Sequence, residues 1–202
     1  MKRIVLTGGP CSGKTTVISA LKEEFGDRII LVPEVATILL GNGFPAPGKD
    51  LQWSEAWQAA LQNAVLPLQS SIEAACELMG QEKGLRIQIC DRGLLDGAAY
   101  TPGGLDAFCA SYNVDKAEAL KRYTAIIHLE SLATVEPEKY GKMGNASRFE
   151  PLERAVELER AVRTVWAEHP RHMVINGRRG IDGKIAEVIG IIRFLLAEKE
   201  AA

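Results

Sequence analysis

Eight residues near the start of the chain, Gly8-Gly9-Pro10-Cys11-Ser12-Gly13-Lys14-Thr15, match the spacing G-x-x-x-x-G-K-[ST]. That spacing serves one task, the grip on a polyphosphate. Gly8 and Gly13 can take backbone angles that a side chain forbids, so successive N–H groups curl around phosphate oxygens at the positive end of a helix. Lys14 brings a point charge toward the β and γ phosphates, and Thr15 offers a hydroxyl to Mg²⁺. Thr16 stands one residue further on for the α phosphate, and Gly9, Pro10, Cys11 and Ser12 complete the cradle. A plain glycine-rich turn is the alternative, but this motif lies between a strand and a helix, the context that marks a phosphate loop. Cys11 admits two readings. Its place near a helix N-terminus and three residues before Lys14 favours thiolate, whose oxidation or alkylation would block the site; otherwise it is a small residue that merely fits.

Two further groups of residues carry charge to the ends of apolar runs. In Ile87-Gln88-Ile89-Cys90-Asp91-Arg92-Gly93 a carboxylate and a guanidinium emerge together, and a buried strand end is a poor place for idle charge. Ligands of open parallel sheets collect at such ends, so Asp91 is expected to face the phosphate loop, holding the Mg²⁺ shell or orienting a substrate hydroxyl. Arg92 would then grip a phosphate or a substrate carboxylate. A helix-capping Asp91 paired with Arg92 at the surface is the competing reading, and Asp96 reads as facing solvent. Val32-Pro33-Glu34 places another carboxylate just past a strand. Glu34 is either a general base across the cleft from the phosphates, if the second strand lies beyond the third, or a first-turn acid favoured by the dipole of a helix over 34–40.

Those residues need a frame. Short apolar runs without alternation recur at 4–6, 29–32, 85–90, 125–129 and 173–175, the pattern of strands buried on both faces. Helical periodicity fills 14–25, 52–79, 115–122, 151–168 and 182–199, with Gly26 and Gly80 as stops, Pro151 as a start, Pro170 as an end and Pro67 as a kink. Strand and helix in alternation give a parallel α/β fold. The segments 41–48 and 131–149 are rich in Gly and Pro and read as mobile loops, and 198–202 as a fraying end. With 202 residues the length suits a single domain, 1–202.

The composition excludes several classes. Apolar residues make up 47% and charged residues 25%, so a disordered or fibrous chain is ruled out. The net charge of −2 supplies no global basic field for nucleic acid or an anionic membrane. Cys11, Cys76, Cys90 and Cys109 show no metal-binding or disulfide spacing, and no apolar run reaches the length of a signal peptide or a membrane span. A soluble, cytoplasmic protein is expected. Among the weaker residues, Trp53 and Trp57 either anchor their helix on the sheet or stack a ring beside the 41–48 segment. His128 reads as a hydrogen-bonded core residue, and Arg154, Arg160 and Arg163 as a solvated helix face, with Arg154 close enough to the 131–149 segment to keep a second role open.

Taken together, Thr7 to Thr16, Pro33-Glu34 with Ala36-Thr37, Cys90-Asp91-Arg92-Gly93 with Asp96 and Tyr100, and His169-Pro170 before Ile175-Asn176 resemble the P-loop, kinase-like proteins of the NadR/Ttd14-like AAA family, within the wider group of nucleoside and nucleotide kinases. The resemblance covers nearly the whole chain. It implies a three-layer P-loop NTPase fold with a five-stranded parallel sheet in order 2-3-1-4-5. It also implies a lid near 131–150 carrying Arg148, and an adenine site at Asn176 to Arg179, with Arg178 among its residues. Longer members of the group carry additional modules, so no substrate follows from the likeness. No Asn-Lys-x-Asp segment is present to read guanine, and ATP is the expected nucleotide. The expectation is a kinase that passes the γ-phosphoryl of Mg-ATP to a small, nucleoside-like hydroxyl compound, using Lys14, Asp91, Arg92, Glu34 and Arg148, with Thr15 and Asp91 on the metal. The alternative is a nucleotide-dependent binding switch or NTPase, which needs only the phosphate and Mg²⁺ parts.

Overall fold

The five apolar runs become five strands: β1 Lys2–Thr7, β2 Ile30–Val32, β3 Ile87–Asp91, β4 Ala125–Leu129 and β5 His172–Ile175. The computed structural model that places them describes residues 1–140 and 151–198. All pair in parallel, in the order β2-β3-β1-β4-β5. Leu6 lies opposite Asp91, Thr7 opposite His128 and Val32 opposite Cys90, so the carboxyl ends of β1, β2, β3 and β4 come out along one edge.

Alternation along β1 sorts the chain into three layers. Ile4 and Leu6 face a core shared with Val17, Leu21 and Phe25 of α1, Lys14–Phe25, and with Val188, Ile192 and Leu195 of α8, Gly180–Ala197. Val5, one residue out of phase, faces the opposite core, where it joins Cys90, Leu95, Phe108, Tyr123 and Trp166. Helix α2 spans Val35–Gly41, and α3, of 29 residues, spans Glu55–Lys83 and lends Leu66, Ile72 and Cys76 to the second core. The second layer also receives α4, Gly104–Tyr112, α5, Lys116–Lys121, and the end of α7, Leu152–Val165; α6 is the short Leu132–Val135.

Several boundaries differ from the sequence pattern, each for a local reason. Helix α3 begins at Glu55 because the Ser54 hydroxyl caps it, accepting the Trp57 N–H at 3.1 Å. It passes through Pro67 and Gly80 and stops at Gly84, whose φ of 67° is left-handed. Gly80 is no stop: a Cβ there would fall 1.9 Å from the Met1 terminal methyl, so glycine makes room for the amino-terminal residue. The 131–149 segment is not all loop, since Ser131 caps α6. Among the described residues no helix is long and apolar enough to cross a membrane.

One buried carboxylate lies away from the strand ends. Glu73 of α3 is 0% exposed and fully engaged, with Arg122 at 2.5 Å, Tyr123 Oη at 2.9 Å and Gln69 Nε2 at 2.8 Å, while Arg3 stands 3.7 Å off. Such a network ties α3 to the start of β1 and to the turn before β4.

Candidate active site

The phosphate loop leaves β1 at the centre of the sheet, where the chain has neighbours on both sides and the strand order reverses. This is the place where open α/β sheets collect ligands. Gly8 has a φ of 143°, and a Cβ on it would lie 2.3 Å from the Leu129 carbonyl oxygen, so glycine is required twice over. Gly13, at φ 89°, opens α1. The loop is held from outside. Ser131 Oγ donates to the Pro10 carbonyl, the Leu132 N–H to that of Cys11 at 3.2 Å, and Lys184 Nζ to that of Ser12 at 2.9 Å. Glu159 Oε2 accepts the Gly9 N–H at 2.7 Å.

Within the loop, Lys14 Nζ turns back onto the carbonyl of Gly8 at 3.0 Å and the hydroxyl of Ser12 at 3.2 Å. Burial, helped by the Arg92 charge, lowers its ammonium to about 8. A cation so desolvated gains from any arriving anion. Thr15 and Thr16 are exposed on the first turn of α1, and Cys11 is exposed at a φ of 56°.

On the β3 side, Asp91 ends its strand beside β1. Its Oδ1 is buried and, among the described residues, has no hydrogen-bond partner. Burial first and Glu34 second push its carboxyl up to about 6, against the pull of Lys14 and Arg92. Arg92 takes a left-handed φ of 72°, a costly backbone for a long side chain and one that clusters at functional sites. Its Nε donates to Glu34 Oε1 at 2.6 Å and its NH1 to Asp96 Oδ1 at 3.3 Å. The competing reading of Asp91 as a cap paired with Arg92 does not hold, because Arg92 pairs with Glu34 and Asp96. Glu34 stands at the N-cap of α2, outside its first turn, and bonds Arg92 and the Thr37 hydroxyl.

Asp96 needs correction. It does not face solvent: it is 2% exposed and accepts from Thr7 Oγ1, the Gly93 N–H at 2.9 Å, Trp166 Nε1 at 3.1 Å and Arg92. The tryptophans also differ from expectation. Trp53 is 56% exposed and anchors nothing on the sheet, and the partly buried Trp57 donates its indole N–H to the Pro45 carbonyl at 2.7 Å, tying α3 to the 41–48 segment. His128 is fully buried against Glu159 at 2.6 Å. Arg154, Arg160 and Arg163 are exposed.

On the β5 side the first turn of α8 abuts the phosphate loop, for Ile181 fills the space that a Cβ on Gly13 would need, at 2.6 Å, and the turn Gly177–Arg179 leads into that helix. Asn176 and Arg178 are exposed, and the Asn176 side chain accepts the Arg178 N–H at 2.7 Å. Arg148 lies outside the described residues, as does the second half of the expected lid. The structure thus sets Asn176 and Arg178 on one flank of the loop and Asp91, Arg92 and Glu34 on the other.

Three residues escaped the sequence reading. Glu159 and Lys184 brace the loop, and each had left a trace: Glu159 falls in the apolar stripe of Ala155, Leu158 and Val162, and Lys184 in that of Val188, Ile192 and Leu195. Gln62 of α3, whose buried Oε1 lacks a partner among the described residues, had left none.

A family model described as an AAA domain matches residues 3–182. The chain belongs to that family. A search of curated proteins finds no match. Among solved structures, the AAA domain chain is similar to the deoxyadenosine kinase from M. mycoides with bound dATP, at a TM-score of 0.59 and 14% identity, covering 96% of this chain and 100% of that one. At that identity the likeness establishes the fold, an α/β fold of the nucleoside- and nucleotide-kinase type.

Proposed function

We propose that this AAA domain protein is a kinase that transfers the γ-phosphoryl group of ATP to a hydroxyl of a small, nucleoside-like metabolite. The observation that carries the reading is the buried Oδ1 of Asp91 beside the phosphate loop, unpartnered among the described residues, with the Arg92–Glu34 pair next to it. A loop that only bound nucleotide would need neither the strained Arg92 nor Glu34. Together they furnish a second, polar flank where an acceptor would meet the end of the triphosphate.

The residues divide the work as follows. Loop N–H groups and Lys14 hold the β and γ phosphates, and Asn176 and Arg178 border the adenine. Thr15 and Asp91 fit Mg²⁺, since a carboxylate oxygen without a partner among the described residues is the donor such a hard cation takes. When bound, the ion would neutralise charge on the β and γ oxygens. Glu34 or Asp91 accepts the acceptor's hydroxyl proton as its oxygen bonds the γ-phosphorus and the bond to the ADP oxygen breaks. Arg92 and, from the lid, Arg148 offset the charge on the transferring group. Within the AAA domain family, the landmarks Pro33-Glu34, Asp91-Arg92-Gly93 and Asp96 support a place with the NadR/Ttd14 type.

The test is transfer from γ-labelled ATP to a panel of nucleosides and pyridine-type ribosides, with Glu34→Gln and Arg92→Gln beside the wild type. Labelled product that fails with either variant supports the kinase. ATP binding with no transfer to any acceptor, and unchanged by either substitution, favours a nucleotide-dependent switch.

A further inference from the structure

Glu159 of α7 has no part in the chemistry above, and its position is costly. A buried carboxylate behind an anion-binding loop repels the anion, yet Glu159 is 3% exposed and touches that loop directly. Burial alone would raise its carboxyl, but the hydrogen bonds and charge of His128 and the Gly9 N–H outweigh it and hold the group below the usual carboxylate range. An ionised carboxylate only accepts, so His128 donates from Nε2. Its Nδ1 is buried without a partner among the described residues.

A second observation concerns Gly9, which occupies a position the motif leaves free. A Cβ there would lie 2.7 Å from Glu159 Oε2 and 2.9 Å from its Cα. Glycine at 9 therefore serves the close approach of α7. The other braces on the loop take carbonyls, whereas Glu159 takes an N–H, the kind of group with which the loop binds phosphate. That N–H belongs to the Gly8–Gly9 peptide, whose carbonyl at the other end accepts Lys14 Nζ at 3.0 Å. One peptide plane is thus held by Glu159 on one side and by the phosphate-seeking lysine on the other.

We propose that Glu159 is a positioning residue of the phosphate loop: its carboxylate fixes the Gly8–Gly9 peptide plane and couples α7 to the nucleotide site. The inference rests on the reading of this loop as that site. Glu159→Gln keeps a side-chain oxygen at the same reach to accept from Gly9. Glu159→Leu keeps the volume and removes the acceptor.

The experiment pairs hydrogen exchange of residues 8–13 in the nucleotide-free protein with calorimetric titration of a non-hydrolysable Mg-ATP analogue. Glu159→Leu is expected to exchange faster and to bind about tenfold more weakly, and Glu159→Gln to stay within about threefold of the wild type. Equal exchange in all three proteins, or analogue affinity in Glu159→Leu equal to or above the wild type, overturns the proposal. A wild type that binds no analogue contradicts the proposed function instead, and exchange alone then decides for or against the brace. Should Glu159→Leu fail to fold by circular dichroism, Glu159→Asp, which draws the oxygen back by one methylene, replaces it with the same expectations.

Discussion

Asp91 and Lys14 are perturbed in opposite directions by the same surroundings, and both shifts give measurable consequences. The Asp91 carboxyl stands at about 6 against an ordinary 3.8. The folded chain therefore retains a proton that the unfolded chain releases, and stability falls as pH rises across that interval. Above it the ionised group costs up to about 3 kcal/mol. Asp91→Asn should accordingly raise the melting temperature of the ligand-free protein at pH 7.5 while removing most turnover, the pattern of a residue kept for chemistry. Lower stability with unchanged turnover would make Asp91 structural. On the proposed kinase reading, transfer needs Asp91 ionised and Lys14, lowered to about 8, protonated. The profile of kcat/KM for ATP should then be a bell with limbs near those values, and its acid limb should vanish in Asp91→Asn. A flat profile between them contradicts the assignment. Asp96 is a different carboxylate. Its removal in Asp96→Ala strands the Gly93 N–H, the Trp166 indole and the Thr7 hydroxyl and frees the strained Arg92, so chemical denaturation should show a loss of about 3 kcal/mol or more.

The elements differ in how plainly the sequence announces them. Strands buried on both faces show as apolar runs, and the loop motif fixes the first turn between strand and helix; both are local signals. Helix α4 and the 3₁₀ stretch Leu94–Tyr100 went unread because Gly103, Gly104 and Gly97 interrupt any period, and what orders them is tertiary: Gly97 packs on Gln62, and Phe108 fills the core. The burial of Asp96 was hidden for the same cause, since charge reads as surface until Trp166 and Thr7 arrive from 70 and 89 residues away, and that of Glu159 showed only in its place on an apolar stripe. Glu73 shows the structural counterpart of Asp91 on an element remote from the loop. Glu73→Ala takes the carboxylate partner from half-buried Arg122 and the acceptor from the buried Tyr123 hydroxyl, which should cost about 3–5 kcal/mol in denaturant unfolding. Nucleotide affinity in the fraction that folds should stay unchanged, and a parallel loss of affinity would show that α3 bears on the loop.

At the scale of the molecule, β1 brings a phosphate loop to the centre of a parallel sheet, and the strands on either side supply different goods. From β3 and β2 come Asp91, Arg92 and Glu34; from the turn after β5 come Asn176 and Arg178; from α7 and α8 come the braces Glu159 and Lys184. The proposed transfer would use this division, with the nucleotide on one flank and the acceptor on the other, and every part of that proposal depends on the loop holding a triphosphate. Calorimetric titration of Mg-ATP into the wild type and Lys14→Ala tests that dependence most directly. Lys14 bonds only to loop carbonyls and the Ser12 hydroxyl among the described residues, so the variant should keep its circular dichroism and lose at least about tenfold in affinity. Equal affinity in the two folded proteins would contradict the phosphate site and the kinase built upon it.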